Sequence, residues 1–252
     1  MNSVVVHTVL LLGAGILAGA VGSAGGITSL ISYPALLAVG IAPLPATVTN
    51  SVALVACWPG SALGSQPELR GQGAWLRRWA VIVVGGGVAG AALLLSTPPG
   101  VFGRVVPYLV AVGSLALLLQ PQLSAWQASH KAAGKNWLLP AGLVSLSVYN
   151  GYFGAGAGVM VLTLLLVTVN QHVPTANALK NMLVGVATFV AASVFIFYGP
   201  VRWIAAAPLA IGMFAGSTVG PVVARHVPGT VLRVLVALTG FGLAVRLWVA
   251  PL

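Results

Sequence analysis

Ten apolar segments follow one another along the chain, and only short polar links separate them. Charged residues make up 5% of the sequence and the mean hydropathy is +1.04, whereas a soluble domain carries about 25% charged residues. Because a chain so poor in charge cannot cover a water-facing surface, it needs lipid as its solvent. At about 20 residues per crossing, the sequence predicts an all-α, multi-pass integral membrane protein of about 8–10 apolar segments.

The segments divide into two sets of five. They are Val4–Val21, Ile27–Ile41, Ala46–Leu63, Trp79–Leu95, Val105–Leu119, Trp137–Tyr149, Val159–Val169, Ala176–Tyr198, Trp203–Val222 and Val231–Val249. The most polar long stretch, residues 120–136, is predicted to be a cytoplasmic link between a first membrane repeat, 1–119, and a second, 137–252. The second, sixth and seventh segments are short for a full crossing, which predicts broken or re-entrant helices that line the interior.

Basic residues outnumber acidic ones by eleven to one, and the formal net charge is +10. They are mostly scattered singly at segment ends, which indicates membrane orientation and contact with anionic lipid, not a nucleic-acid partner. Eight of them fall in or beside odd-numbered links: Arg70, Arg77, Arg78, Lys131, Lys135, Lys180, Arg225 and Arg233. The positive-inside rule therefore predicts that these links are cytoplasmic and that both termini lie outside.

The single acid, Glu68, lies between predicted segments. Carriers of cations and protons usually place Asp or Glu within their spans, so a function that depends on buried carboxylates is not expected. The one cysteine, Cys57, cannot form an intrachain disulfide, and no Cys/His cluster indicates a metal site. Neither a metal nor a cofactor is therefore predicted.

Trp58 and Trp203 are interpreted as membrane-interface anchors.

A glycine-rich break occurs once in each half. Gly22-Ser-Ala-Gly-Gly26 aligns with Gly154-Ala-Gly-Ala-Gly158 at an offset of 132 residues, and Thr49-Asn50 aligns with Lys180-Asn181 at an offset of 131. Because each half holds an odd number of segments, the second copy is predicted to be inverted in the membrane. Inverted repeats of broken helices place their breaks around one site near the bilayer midplane.

Lys180 is the strongest candidate for binding, since a lysine within a span normally faces a cavity or a partner. An alternative is that it extends to the cytoplasmic interface from a position near a helix end. The glycines would expose helix N-termini to an anion or pack helices closely, and the amides and hydroxyls would bind oxyanion oxygens or bond between helices. The predicted substrate-binding residues are Ser23, Gly25, Gly26, Thr49, Asn50, Ser51, Gly154, Gly156, Gly158, Lys180 and Asn181. Tyr149 and Asn150 flank the second break and are predicted to form a gate.

These stretches resemble the sulfite exporter TauE/SafE family. The first-half match is Ile16-Leu-Ala-Gly-Ala-Val-Gly-Ser-Ala-Gly-Gly26 with Tyr33-Pro-Ala-Leu36 and Ala46-Thr-Val-Thr-Asn50, and the second is Gly151-Tyr-Phe-Gly-Ala-Gly-Ala-Gly158 with Ala176-Asn-Ala-Leu-Lys-Asn181. The resemblance implies a permease of a bacterial-type plasma (inner) membrane for sulfur anions such as sulfite, thiosulfate or organosulfonates. The second copy lacks the proline that often follows the family's glycine break, which leaves the particular anion open. A coupling proton or ion also stays open.

Two alternatives belong to other classes. Ser23 within Gly22-Ser-Ala-Gly25 invites the interpretation of an intramembrane serine protease, which would need a histidine within reach as general base. The chain would otherwise be a channel or a membrane scaffold without transport activity. Saturable transport against a gradient would exclude both alternatives, and the expectation is a transporter, not an enzyme.

Overall fold

The computed structural model describes residues 2–129, 137–169 and 172–224, together with residues 238, 241, 242 and 245. Within these ranges the chain forms eleven helices and no strand, which confirms the all-α prediction. The helices are α1 (Asn2–Gly25), α2 (Thr28–Ala38), α3 (Pro43–Leu54), α4 (Cys57–Gly64), α5 (Gln66–Leu69), α6 (Gly73–Ser96), α7 (Pro99–Ser129), α8 (Leu138–Tyr152), α9 (Ala157–Thr168), α10 (Val173–Tyr198) and α11 (Trp203–Ala224). Predictions on Lys131, Lys135, Arg225, Arg233 and most of Val231–Val249 lie outside the described residues.

Five of the described helices are long and apolar enough to cross a membrane, which confirms a multi-pass protein. The candidate spans are Val4–Ser23, Gly73–Ser96, Pro99–Leu119, Val173–Tyr198 and Trp203–Gly220. Apolar chain forms helices in lipid because each backbone amide must find its hydrogen bond within the segment. The predicted link at residues 120–136 begins inside α7, since a helix does not end where its apolar surface ends and Leu, Ala and Gln continue to favour it.

Both predicted glycine breaks are present. The first separates α1 from α2 at Gly26, whose φ is +77°, and the second separates α8 from α9 at Gly154 and Gly156, with φ of +77° and +76°. Residues other than glycine rarely adopt this left-handed backbone conformation. The glycines therefore end one helix and redirect the chain into the next.

Each break reverses the chain, so that α1–α2 and α8–α9 form two helical hairpins. The end of α2 returns to the start of α1, because Val39 and Ile41 line the same cavity as Val4 and His7. In the second hairpin a Cβ on Gly142 would meet the side chain of Leu164 at 2.7 Å. At 11 and 12 residues, α2 and α9 are too short to cross the bilayer.

The third predicted segment is divided where the sequence indicates one continuous helix. Helix α3 ends at Leu54, and the next turn is held by tighter bonds, from the Trp58 amide to the Val55 carbonyl at 3.1 Å and from the Ala56 amide to the Ala53 carbonyl at 3.1 Å. Pro59 lacks an amide proton and its ring crowds the carbonyl four residues before it, which is that of Val55. The aligned residue in α10 is Val190, and α10 runs unbroken for 26 residues.

Small residues bring two helix pairs into close contact. In the pair α1 and α11, a Cβ on Gly19 would lie 2.4 Å from the Met213 carbonyl oxygen, and in the pair α6 and α8 a Cβ on Gly90 would lie 2.1 Å from that of Val148. Glycine allows such approach because it has no side chain to separate the backbones. A Cβ on Gly86 would also meet α8, at 2.5 Å from the Ser147 Cβ, and one on Gly87 would lie 2.8 Å from the Ala187 carbonyl oxygen in α10. A Cβ on Gly85 would have nothing within 4 Å.

Candidate functional site

The tips of the two hairpins meet backbone to backbone. A Cβ on Gly26 would lie 2.5 Å from the carbonyl carbon of Gly158, and one on Gly158 would lie 2.6 Å from the Gly26 Cα. Phe153 holds the second tip against the core, with its ring edge-on to Tyr33 at 5.3 Å and to Phe102 at 6.2 Å between centroids. The structure therefore brings together the two glycine breaks that the sequence predicts to share a site.

A cavity of about 60 Å³ lies beside this crossing, and we refer to it as the central cavity. It has room for a small ion or a few water molecules. Both hairpin tips, the α3–α4 break and the middle of α10 line it: Gly22, Ser23, Gly26, Thr28, Ser29, Leu54, Cys57, Trp58, Ser61, Asn150, Gly154, Gly158, Lys180, Asn181, Val184, Gly185 and Thr188. Six of the predicted binding residues and one predicted gate residue are among them.

Lys180 lines the central cavity and is 1% exposed. Its Nζ donates a hydrogen bond to the Asn177 Oδ1 at 2.8 Å, the one hydrogen bond it makes among the described residues. An ammonium group has three N–H donors, so two remain for other acceptors in the cavity. The alternative interpretation requires the side chain to extend to the protein surface, and in the structure it does not.

Asn177 and Asn181 fasten α10 to the first hairpin. The Nδ2 groups of both side chains donate to the backbone carbonyl oxygen of Ser23, at 3.1 and 3.0 Å. This carbonyl lies in the last turn of α1, where the helix leaves carbonyl groups without intrahelical partners. The two amides therefore hold the break in place and set the position of Lys180 beside it.

The predicted gate residues have separate roles in this conformation. Asn150 lines the central cavity and its Nδ2 donates to the Thr188 hydroxyl at 3.1 Å. The Tyr149 hydroxyl donates to the Ala155 carbonyl at 2.6 Å and so closes the second hairpin on itself. A gating function for the two residues stays a prediction.

Five predicted binding residues lie away from the central cavity. Asn50 accepts a hydrogen bond from the Ser32 hydroxyl at 2.5 Å and donates one to the Ser29 hydroxyl at 3.2 Å. Thr49 accepts a bond from the Arg202 backbone amide at 3.0 Å. The remaining three make other contacts. The Ser51 hydroxyl donates to the Thr47 carbonyl, Gly156 lies against the backbone of Gly113, and Gly25 lies near the Ile27 side chain.

The charge around the cavity is one-sided. Among the described residues that line it, Lys180 is the basic side chain and none is acidic. The helices α2 and α9 both begin at the glycine crossing, and the first turn of a helix presents free N–H groups and the positive end of its dipole. The arrangement therefore offers hydrogen-bond donors and positive charge to a small anion.

The described residues bear on two other kinds of site, a metal site and a serine nucleophile. Within the described ranges no group of three His, Cys, Asp or Glu residues could hold a metal ion. The Ser23 hydroxyl donates to the Ala20 carbonyl at 3.2 Å, and the described lining of the cavity contains no histidine.

Two residues of the site, Asn177 and Trp58, are not among the predicted binding residues. Asn177 lies three residues before Lys180, a spacing that places both side chains on one face of a helix, so its sequence position carried the signal. Trp58 was interpreted as an interface anchor, which is wrong. The Trp58 ring packs against α10: a Cβ on Gly185 would lie 2.3 Å from its Cδ1 atom. The centroids of the Trp58 and Phe189 rings are 5.7 Å apart. Nothing local indicated that contact, because its partners are about 130 residues away.

Comparison with known proteins gives one family and a group of related transporters. Residues 10–247 match the model of the family described as sulfite exporter TauE/SafE. A probable membrane transporter protein, ORF9, of Sinorhizobium sp. is 26% identical over 94% of this chain and 91% of its own length. The probable membrane transporter protein YfcA of Escherichia coli K12 is 28% identical over 87% of this chain and 82% of its own length. A probable membrane transporter protein of Haemophilus influenzae is 24% identical over 92% of this chain and 91% of its own length. No solved structure matches the chain.

Proposed function

Because the chain belongs to the sulfite exporter TauE/SafE family, we propose that it is a permease for a small anion of the sulfur oxyanion or organosulfonate class, bound in the central cavity near the bilayer midplane. The membrane is the plasma (inner) membrane of a bacterial-type cell, with both termini outside. The name of the family supports the sulfur chemistry of the substrate. The features of the central cavity support its negative charge.

The observation that carries the proposal is the buried cation at Lys180. A lysine at the centre of a membrane helix costs roughly 2.5–3.5 kcal/mol on insertion scales. Its hydrogen-bond partner, Asn177, is a neutral amide that leaves the positive charge uncompensated. An anion that enters the cavity supplies the missing negative charge.

The donors around Lys180 suit an oxyanion. Ser29 in the first turn of α2, Gly158 in the first turn of α9, and the amide of Asn181 all line the cavity. Sulfite and sulfonate groups carry several oxygen acceptors on one centre, and each acceptor needs a donor when water is removed. Two short helices whose N-termini meet at one point supply such donors from opposite sides.

The proposed mechanism is alternating access between two inverted repeats. Reciprocal packing supports it: α1 of the first half packs on α11 of the second, and α8 of the second packs on α6 of the first. Two contacts join residues that occupy equivalent positions when the two halves are aligned at the offset of 131 or 132 residues. They are Gly26 with Gly158 and Trp58 with Phe189. Contacts between equivalent residues arise on a two-fold axis, and rocking about such an axis opens the site to each side in turn.

The proposal is tested by transport into proteoliposomes with sulfite, thiosulfate, sulfate, taurine and a carboxylate control. One sulfur anion should give a saturable signal that falls at least about tenfold in Lys180→Ala, since a hydrogen bond to a charged group contributes roughly 1.5–3 kcal/mol. Lys180→Arg should recover only part of it, because a planar guanidinium fills the small cavity differently from an ammonium. Lys131→Ala, the same change in the predicted polar link, should leave transport unchanged.

Counterflow separates a carrier from the alternatives. Unlabelled anion trapped inside the vesicles should accelerate uptake of labelled anion, because a single site that faces each side in turn returns faster when loaded. A channel gives no such acceleration. Wild-type transport by Lys180→Ala would remove the central cavity as the binding site.

A further inference from the structure

A second cavity lies at the end of the molecule where α1 begins, and we refer to it as the end cavity. Its volume is about 200 Å³, and it forms where the start of α1, the end of α2 and the start of α11 meet. Its lining is Val4, His7, Thr8, Leu11, Val39, Ile41, Arg202, Ile204 and Ala205. Among these residues Arg202 is the permanent cation, and no acidic side chain lies beside it in the lining.

Three polar residues, Thr49, Asn50 and Ser29, lie between the end cavity and the central cavity, and we refer to them as the polar line. The Arg202 backbone amide donates to the Thr49 hydroxyl at 3.0 Å. The next residue, Asn50, donates to the Ser29 hydroxyl at 3.2 Å, and Ser29 lines the central cavity. Thr49 and Asn50 are 0% and 2% exposed, so this line crosses the interior of the protein.

The line is closed in this conformation. The Ser32 hydroxyl donates to the Asn50 Oδ1 at 2.5 Å, and Ser32 is fully buried. The Ser32 hydroxyl also lies 3.0 Å from the Thr28 carbonyl oxygen as a donor. Hydroxyl and amide groups bonded in this way can exchange their bonds for bonds to an oxyanion, whereas an apolar plug offers none. Asn50 also aligns with Asn181, which lines the central cavity, so a conformation in which the two halves exchange their arrangements exposes Asn50 in its place.

We propose that the end cavity is a second binding station for the transported anion, with Arg202 as its cationic group. Ser29, Ser32 and Asn50 form the closed gate between this station and the central cavity. The inference rests on the proposed anion transport and extends it to the side of the membrane that holds the N-terminus. A guanidinium group presents a planar fork of N–H donors that fits two oxygens of one oxyanion.

A lipid headgroup offers the same anionic oxygens. The end cavity lies near the level of the membrane interface, since Trp203 and Tyr198 beside it are 56% and 80% exposed and such side chains concentrate there. The polar line to the central cavity favours the transported anion, because a lipid phosphate bound at the surface has no need of it. The test therefore includes membranes of two lipid compositions.

The experiment measures KM separately from each side, with right-side-out and inside-out membrane vesicles, for wild type, Arg202→Gln and Arg104→Gln. Arg104 is the matched control, since it is exposed near the start of α7. It falls in the link between the fourth and fifth predicted segments, which the positive-inside rule predicts to lie on the same side of the membrane as Arg202. Arg202→Gln should raise the KM about five- to tenfold for anion supplied from the N-terminal side, the loss of one partly solvated charged hydrogen bond. The KM from the opposite side should be unchanged, Arg202→Lys should recover part of the loss, and Arg104→Gln should behave as wild type.

Three results would overturn the second station. Arg202→Gln could match Arg104→Gln, or it could raise KM equally from both sides, which indicates a general structural defect. The effect could also disappear in proteoliposomes of phosphatidylcholine alone, which would assign the end cavity to an anionic lipid. Lys180→Ala separates failure of this inference from failure of the proposed function. If Lys180→Ala loses transport and Arg202→Gln behaves as wild type, only the second station is overturned. If Lys180→Ala transports as wild type, the central site on which the second station rests is overturned.

Discussion

A buried lysine paired with an amide is the central feature at the scale of single residues. The Asn177 Oδ1 accepts from Lys180, and the same side chain donates its Nδ2 to the Ser23 carbonyl. An amide can do both because it carries an acceptor and a donor group. A carboxylate in its place would keep the bond to lysine, lose the bond to Ser23 and cancel the charge on which the proposed anion binding depends.

Replacing Asn177 by aspartate tests whether charge is what the site provides. Asn177→Asp should raise the KM or Kd for the anion by about tenfold or more, because a neighbouring carboxylate stabilises the ammonium and repels the substrate. Asn177→Ala should raise it less, since Lys180 then keeps its charge and loses only its positioning partner. Equal values for the two variants, measured by proteoliposome uptake, would mean that the positive charge of Lys180 does not determine affinity.

At the scale of helices, short breaks fix where the donors point. Three breaks surround the central cavity, at Gly26, at Gly154–Gly158 and at the α3–α4 turn before Pro59. Two of them reverse the chain and one only bends it. The difference follows from chemistry, because a glycine with positive φ redirects the backbone whereas proline interrupts the hydrogen bonds of a helix that then continues.

The contact between the hairpin tips predicts a strong effect of one methyl group. Gly158→Ala places a Cβ 2.6 Å from the Gly26 Cα and 2.8 Å from its carbonyl oxygen, so the tips must separate. The variant should lower the Tm in detergent by several degrees and reduce transport. Gly85→Ala is the matched control: its Cβ meets nothing within 4 Å, and alanine favours a helix by about 1 kcal/mol over glycine. If the two variants have the same Tm, the hairpin tips do not meet as described.

At the scale of the whole molecule, the halves interlock instead of standing side by side. The first helix of each half packs on the helix that contains the fourth predicted segment of the other half, in the pairs α1–α11 and α8–α6. The central cavity lies where the two halves cross and takes its lining from both. Neither half therefore forms the proposed site alone.

The membrane orientation predicted from charge is tested by labelling of single cysteines in a Cys57→Ser background that retains transport. Gln66→Cys should react with a membrane-impermeant reagent only in inside-out vesicles, and Gly100→Cys only in intact spheroplasts. Both positions are exposed, and the cluster of Arg70, Arg77 and Arg78 predicts that the former side is cytoplasmic. The reverse labelling pattern would invert the orientation and exchange the two sides of the transport cycle.

Local sequence was enough to predict the helical class, both glycine breaks and the membrane environment. These features depend on residue properties that act within a few positions: the hydropathy over a span and the φ preference of glycine. The repeat spacing also predicted that Gly22–Gly26, Gly154–Gly158 and Lys180 share a site, and all three line the central cavity. The Pro59 break carried a local signal as well, which the apolar composition of Ala46–Leu63 hid.

Long-range packing decided which of the candidate polar residues face the cavity. Asn50 and Asn181 occupy aligned positions, yet Asn181 lines the central cavity while Asn50 bonds to Ser29 and Ser32 on α2. Asn177 and Asn181 bond to the carbonyl oxygen of Ser23, more than 100 positions away in the chain, and these contacts hold α10 against the first glycine break. A sequence states the residues on each helix, but the face that each helix turns to its neighbours depends on the energy of the complete packing.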